Sequence, residues 1–202
     1  MTKVATIESI RTEGGGTVTA DFYTHALALG DRVRAAASDA PTSGFRGFTL
    51  SLVVSQPSVV NAFIDAAADA GGKILAPPKK SLWGYGGTVE APDGTVVTVA
   101  ASKKKDSGPA DETVDSIVLQ LGVDDVAASK DFYTKHGFAV AKGYGSKYVE
   151  FATGDITLAV LKRKMLAKNA GVPPEGEGSH RVTIVSAAGP FTDPDGFVWE
   201  PK

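Results

Sequence analysis

The sequence predicts an α+β protein assembled from repeated β-α-β-β-β units. Three observations carry the prediction. Strict apolar alternation precedes a helix-type apolar stripe at 48–67 and again at 117–136, and each stripe is followed by three further strand-like runs. Asp21-Phe-Tyr-Thr recurs at Asp131-Phe-Tyr-Thr, an offset of 110 (131 − 21). Pro92-Asp-Gly recurs at Pro194-Asp-Gly, an offset of 102 (194 − 92). Segments that return in the same order at nearly the same spacing indicate duplication with a small deletion.

Taken in order, Thr2–Arg11 is the first expected strand, and Glu13-Gly-Gly-Gly a loop. Thr17 or Thr19 then caps a helix that carries Phe22, Tyr23, Ala26 and Leu27 on one face and stops near Gly30. The glycine triplet is a turn rather than a phosphate loop, because no Gly-Lys-Ser/Thr follows it. Asp31–Ala37 is a strand and Pro41-Thr-Ser-Gly a turn. A complete unit begins at Phe48, Leu50, Leu52 and Val54, which alternate with Thr49, Ser51 and Val53. Pro57 suits a first helical position, where its missing N–H costs nothing. Val60, Phe63, Ile64 and Ala67 form that helix's stripe, and Gly71-Gly72 end it. Lys73–Pro77, Gly86–Ala91 and Thr95–Ala100 are its three strands, the last two joined by the Pro92-Asp-Gly turn.

The second complete unit spans 116–164. Ile117, Leu119, Leu121 and Val123 face one way, Asp124 or Asp125 caps the helix, and Ser129, Phe132, Tyr133 and His136 form its stripe. Gly137 supplies the left-handed stop, and Phe138–Ala141, Lys147–Phe151 and Ile156–Leu161 follow as strands. Lys162–Gly171 is a basic helical turn or two, Pro173–Ser179 a loop, and His180–Val185 a strand. The outer units are abbreviated: the first lacks its last two strands, and the last lacks its helix. The polar, aperiodic stretch after Ser102 is a linker, so the chain divides into domains 1–102 and 113–202 joined by 103–112.

Bulk properties narrow the function classes. In 202 residues the apolar fraction is 43% and the net charge −2, with a pI of about 5.9, so no basic field recruits nucleic acid or anionic membrane. The absence of cysteine excludes disulfides, thiolate catalysis and Cys-liganded metals. No apolar run is long enough to span a bilayer, and the first residues lack a secretory core; a cytoplasmic protein is expected. No Ser–His–Asp set, close carboxylate pair or dinucleotide fingerprint stands out. The sheet edges left by abbreviated units predict a homodimer that covers them.

Val123-Asp-Asp-Val-Ala-Ala-Ser-Lys-Asp-Phe-Tyr followed by Gly137-Phe resembles the strand–helix signature of the glyoxalase/bleomycin-resistance/extradiol-dioxygenase (vicinal oxygen chelate) superfamily. Leu82-Trp-Gly-Tyr-Gly-Gly and Phe191-Thr-Asp-Pro-Asp-Gly-Phe-Val-Trp-Glu resemble its closing hairpins. The resemblance implies paired modules whose mixed sheets curl into a cup, with ligand or metal inside and helices outside. Metal-using members place His, Glu or Gln at an inward position of each module's first strand and another in its last strand. Those positions fall on Val118, with Gln120 next on the same face, and near Ala159 or Val160 in one complete unit; they fall on Thr49 and Thr98 in the other. In the final unit they fall on His180 and Glu200, which either bind a divalent ion or form a metal-free hydrogen-bonded pair. His25 and His136 are structural.

The aromatic residues Trp83, Tyr85, Tyr144, Tyr148 and Trp199 either line a ligand pocket or fill the sheet cores. Gly84, Gly86 and Gly87 would let a flat ligand lie against Trp83 and Tyr85, with Lys79, Lys80 and Arg46 near enough to counter an anion. The leading expectation is a small-molecule binding protein of the bleomycin-resistance type, holding an aromatic or amphipathic ligand. A second is a lyase, isomerase or dioxygenase using Zn, Ni, Mn or Fe on His180 and Glu200, with Tyr148 or Glu150 nearby. A third is an assembly module without ligand.

Overall fold

A computed structural model describes residues 4–202. The start of the first expected strand, Thr2 and Lys3, lies outside the described residues. The first abbreviated unit comprises β1 (Ile7–Glu13), α1 (Thr17–Asp21) continuing as a π-helical turn at Phe22–Ala26, a 3-10 turn at Gly30–Arg32, and β2 (Val33–Ala36). Gly16, not Thr17 or Thr19, precedes the helix, and no side chain caps it. A short β3 (Thr42–Gly44) replaces the expected turn at 41–44.

The two complete units share one topology. The first is β4 (Phe48–Val53), α2 (Pro57–Asp69), β5 (Lys73–Ser81), β6 (Gly84–Glu90) and β7 (Val96–Ala101). The second is β8 (Ser116–Val123), α3 (Val126–Lys135), β9 (Ala139–Tyr144), β10 (Tyr148–Ala152) and β11 (Ile156–Lys162). In each, the first strand runs parallel to the last and antiparallel hairpins complete the unit. Local chemistry explains the helix ends. Pro57 occupies a first-turn position of α2, while one carboxylate oxygen of Asp125 accepts from the N–H groups of Ala127 and Ala128 at 2.9 and 3.0 Å. Those bonds hold the exposed Asp125 carboxyl below its ordinary pKa.

The last segment contains α4 (Arg163–Ala170), β12 (Gly176–Gly178), β13 (Val182–Ser186), β14 (Phe191–Thr192) and β15 (Val198–Glu200). The expected loop at 173–179 contains β12, which pairs with β3. No helix stands between β13 and β14.

Sheet pairing crosses the two sequence halves. β4 pairs antiparallel with β8, giving one eight-stranded sheet in the order β5-β6-β7-β4-β8-β11-β10-β9. The first strands of the abbreviated units, β1 and β13, also pair antiparallel, giving a five-stranded sheet β14-β15-β13-β1-β2. Leu50, Leu52, Val97, Val99, Leu119, Leu158 and Val160 face α2 and α3 in a core that continues through Ile10, Val33, Ile184 and Trp199 of the smaller sheet. The opposite face of the large sheet is separate. There Val96 and Leu161 pack with Phe45 and with Leu166, Ala167 and Ala170 of α4, so α4 fills part of the concave side. Among the described residues, no helix is long and apolar enough to cross a membrane.

Candidate functional site

The concave face of the eight-stranded sheet keeps an open cleft of about 520 Å³ beside α4. Alternation decides its floor. Leu50 and Leu52 of β4 go to the core, so Thr49 and Ser51 face inward; Gln120 of β8 and Thr98 of β7 do the same by the same period. Thr49 Oγ1 donates to Gln120 Oε1 at 3.0 Å across the β4–β8 junction. Gln120, Ser51 and Thr98 line the cleft, whose glycine-rich wall comes from Gly84, Gly86 and Gly87 on β6. Lys79 of β5 and Lys168 of α4 stand at its edges. Of the family-pattern positions in this cup, Thr49 and Thr98 carry hydroxyls and Val118 and Ala159 carry no metal-binding group; these hydroxyls and the neighbouring Gln120 amide hydrogen-bond a ligand but hold divalent cations weakly.

The aromatic residues expected here separate. Trp83, at the β5–β6 hairpin tip, borders the cleft and is 89% exposed. Tyr85 also borders it, but its ring packs against the main core, and its hydroxyl donates to Oδ1 of Asn61 on α2 at 2.9 Å. Tyr144 and Tyr148 lie at the far end of the same sheet, their ring centroids 6.1 Å apart. Tyr148 donates to Glu150 at 2.8 Å, and burial, then this bond to a carboxylate, raises its pKa. Trp199 is not a cleft residue. It lies on the five-stranded sheet, 1% exposed, stacked on Phe191 and packed against Tyr133 and Phe138.

His180 and Glu200 are not brought together. Arg181 takes a left-handed φ of 49°, so β13 starts only at Val182 and strand alternation never reaches His180. The imidazole instead joins two chain segments: Nδ1 lies 2.6 Å from the carbonyl oxygen of Arg46 and Nε2 lies 2.9 Å from that of Asp195, with the ring stacked on Phe197. Glu200 sits opposite Val185, three residues into β13 (185 − 182), whereas His180 lies before that strand begins. Its carboxylate accepts from Arg11 on β1 at 2.8 Å.

Arg46, expected near the pocket, is buried at the joint between the sheets. Its guanidinium lies 3.8 Å from the Asp93 carboxylate, donates to the Asp93 carbonyl, and donates to the Glu13 carbonyl of β1 at 3.3 Å. Burial lowers its pKa, and Asp93 opposes that effect. Each repeated Asp-Phe-Tyr-Thr supplies a second tie. Tyr23 donates to Asp93 at 3.1 Å, and Tyr133 to Asp193 at 2.5 Å. Burial first, and the adjacent carboxylate second, push both phenols up. Each tyrosine leaves the helix of one sheet system and reaches the closing turn of the other.

The strand order and the cleft can be set beside known structures. Glyoxalase I from Zea mays is similar at 15% identity and a TM-score of 0.61, over 98% of this chain and 92% of that one. A "putative dioxygenase" from Bacillus subtilis is similar at 12% identity and a TM-score of 0.58, over 97% of this chain and 73% of that one. The chain has the vicinal-oxygen-chelate fold. No protein-family model and no curated protein matches the sequence.

A divalent metal of the kind this fold implies finds no fit in these residues. Both ring nitrogens of His180 face carbonyl oxygens and Glu200 is paired with a guanidinium. Among the described residues, no three His, Cys, Asp or Glu side chains converge as a metal would require. Sequence reasoning had no signal for Lys168 as a cleft residue, because nothing local says that α4 turns back onto the concave face.

Proposed function

We propose that the protein is a small-molecule binding protein of the bleomycin-resistance type, holding an aromatic or amphipathic ligand in the cup of the eight-stranded sheet. The observation that supports this reading is the cleft of about 520 Å³ floored by Ser51, Thr98 and Gln120. Its volume is in the range of small-molecule sites, and its neutral donors and acceptors orient a ligand without activating it. The glycines of β6 pack closely against the neighbouring strands and border the cleft without side chains of their own, and Trp83 can close over a flat ring from the hairpin tip.

A fragment screen by amide chemical-shift mapping tests the reading. Shifts should gather on Ser51, Gly86, Thr98 and the Gln120 side-chain amide, and vanish in Thr98→Trp, which places a bulky ring on the cleft floor. Fragments that map to the five-stranded sheet, or that bind Thr98→Trp unchanged, would reject it. Elemental analysis of the same sample should find no stoichiometric Zn, Ni, Mn or Fe.

A further inference from the structure

We propose that the ligand is an organic anion whose acid group is taken by Lys79 and Lys168; this rests on the cup-binding reading above. The argument starts from charge. Lys79 and Lys168 are the charged side chains lining the cleft, and no Asp or Glu lines it. They come from unrelated elements, the edge strand β5 and the added helix α4, yet border one cavity. The ion pairs among the described residues are those of Arg11, His25, Arg34, Arg46 and Lys202, so neither cleft lysine is matched by a carboxylate.

The global field does not explain this arrangement. The chain carries a net charge of −2, so two unmatched cations at one concavity are a local feature rather than the overflow of a basic surface. A concave, low-dielectric wall strengthens their attraction for an anion relative to open solvent. The remaining lining suits the rest of such a molecule. Ala100 and Leu166 offer apolar contact, while Gln120 and Asn169 offer amide donors and acceptors. The ligand class is a carboxylate, sulfonate or phosphate on an apolar, preferably aromatic, body. A neutral aromatic would leave both ammonium groups without a partner and gain only the wall contacts.

Two dyes that differ by one acid group separate this proposal from the one beneath it. 8-Anilinonaphthalene-1-sulfonate carries the anion; N-phenyl-1-naphthylamine has the same ring system without it. Fluorescence titrations of the full chain should give an affinity for the sulfonate at least about tenfold above that for the amine. Each of Lys79→Gln and Lys168→Gln should weaken sulfonate binding about threefold and the pair about tenfold, the range expected of partly solvated ion pairs. The amine should be indifferent to both substitutions, and only sulfonate binding should weaken with salt. Both lysines are exposed, so the variants should melt with the wild type. If both dyes bind equally, are lost in Thr98→Trp, and ignore the lysine substitutions, the cup binds ligands but the anion proposal falls. If Thr98→Trp changes neither titration, both readings fall together.

Discussion

The two sheets are built from the same duplicated module but use their concave faces in opposite ways. In the eight-stranded sheet, two complete units meet at β4 and β8, and the face away from the helices carries Thr49, Ser51, Thr98 and Gln120 around an open cleft. In the five-stranded sheet, the abbreviated units meet at β1 and β13, and that face is occupied by polar side chains that pair with one another. Arg11 holds Glu200 at 2.8 Å, and Thr183 donates to Glu13 at 2.9 Å. A cup needs wall strands; where they are missing, the floor is satisfied by its own side chains. The smaller sheet instead supplies core, through Ile10, Ile184 and Trp199, and clamps onto the larger one through Arg46, His180 and the two tyrosine–aspartate pairs.

The strongest test of this division compares the chain's two tryptophans. Trp199→Ala should cost about 3–5 kcal/mol in urea denaturation, as removal of a large buried aromatic does. Trp83→Ala should stay within about 0.5 kcal/mol. Acrylamide should quench Trp83 and spare Trp199. Similar losses from both substitutions would mean that the hairpin tip is part of the core and not the rim of a site.

A somewhat smaller effect probes the joint. Arg46→Met removes the cation from a buried pair and leaves Asp93 uncompensated, which should cost about 3 kcal/mol. If the variant unfolds at the wild-type midpoint, Arg46 does not fasten the sheets.

The two closing turns differ in charge, and this gives a pH test. Asp93 has Arg46 within 3.8 Å, whereas Asp193, among the described residues, has no such ion-pair partner. Burial raises the Asp193 pKa above its ordinary 3.8, against the lowering by its bond from Tyr133. The folded state therefore holds that proton more tightly than the unfolded state does. The resulting stability is fully present below 3.8 and is lost as pH rises through the higher folded value. The stability of wild type minus that of Asp193→Asn should decline with rising pH across this window. A difference that stays flat or grows would remove the linkage.

The smallest effect is expected on the floor of the five-stranded sheet. The Arg11 and Glu200 side chains are 37% and 45% exposed, so Arg11→Gln should cost only about 0–1 kcal/mol, and less at high salt. If the freed Glu200 gave the variant a melting-temperature rise with Zn²⁺, Ni²⁺ or Mn²⁺ that wild type lacks, the guanidinium would be standing in a latent metal position. No rise is expected, since His180 lies before β13 and remains engaged.

Much of the architecture was legible before any tertiary contact was known. Period-two runs identified the first strand of each complete unit and Gly-separated runs the others, while a cap at Asp124 or Asp125 (the structure uses Asp125), Pro57 in the first turn of α2 and Gly137 marked helix boundaries. These signals are local: they arise from dihedral preferences and from hydrogen bonds within a few residues. The repeated Asp-Phe-Tyr-Thr pointed to duplicated modules by its identity and spacing alone; that each tyrosine meets the carboxylate of a distant turn emerged only in the structure.

Other features depended on partners distant in sequence. Alternation divides each strand into two faces but does not say which is concave, so Tyr85 turned out to face α2 while Gln120 and Thr98 face the cleft. It placed Trp199 on a face without saying which sheet would bury it. It carried His180 onto a strand that the left-handed Arg181 interrupts. Above all, the pairing of β4 with β8 and of β1 with β13, and the return of α4 to set Lys168 opposite the β5 edge, follow from which apolar faces bury one another. Burial is shared between segments far apart in the chain, so the sequence alone determined the modules, and only the packed structure decided where they leave a cavity.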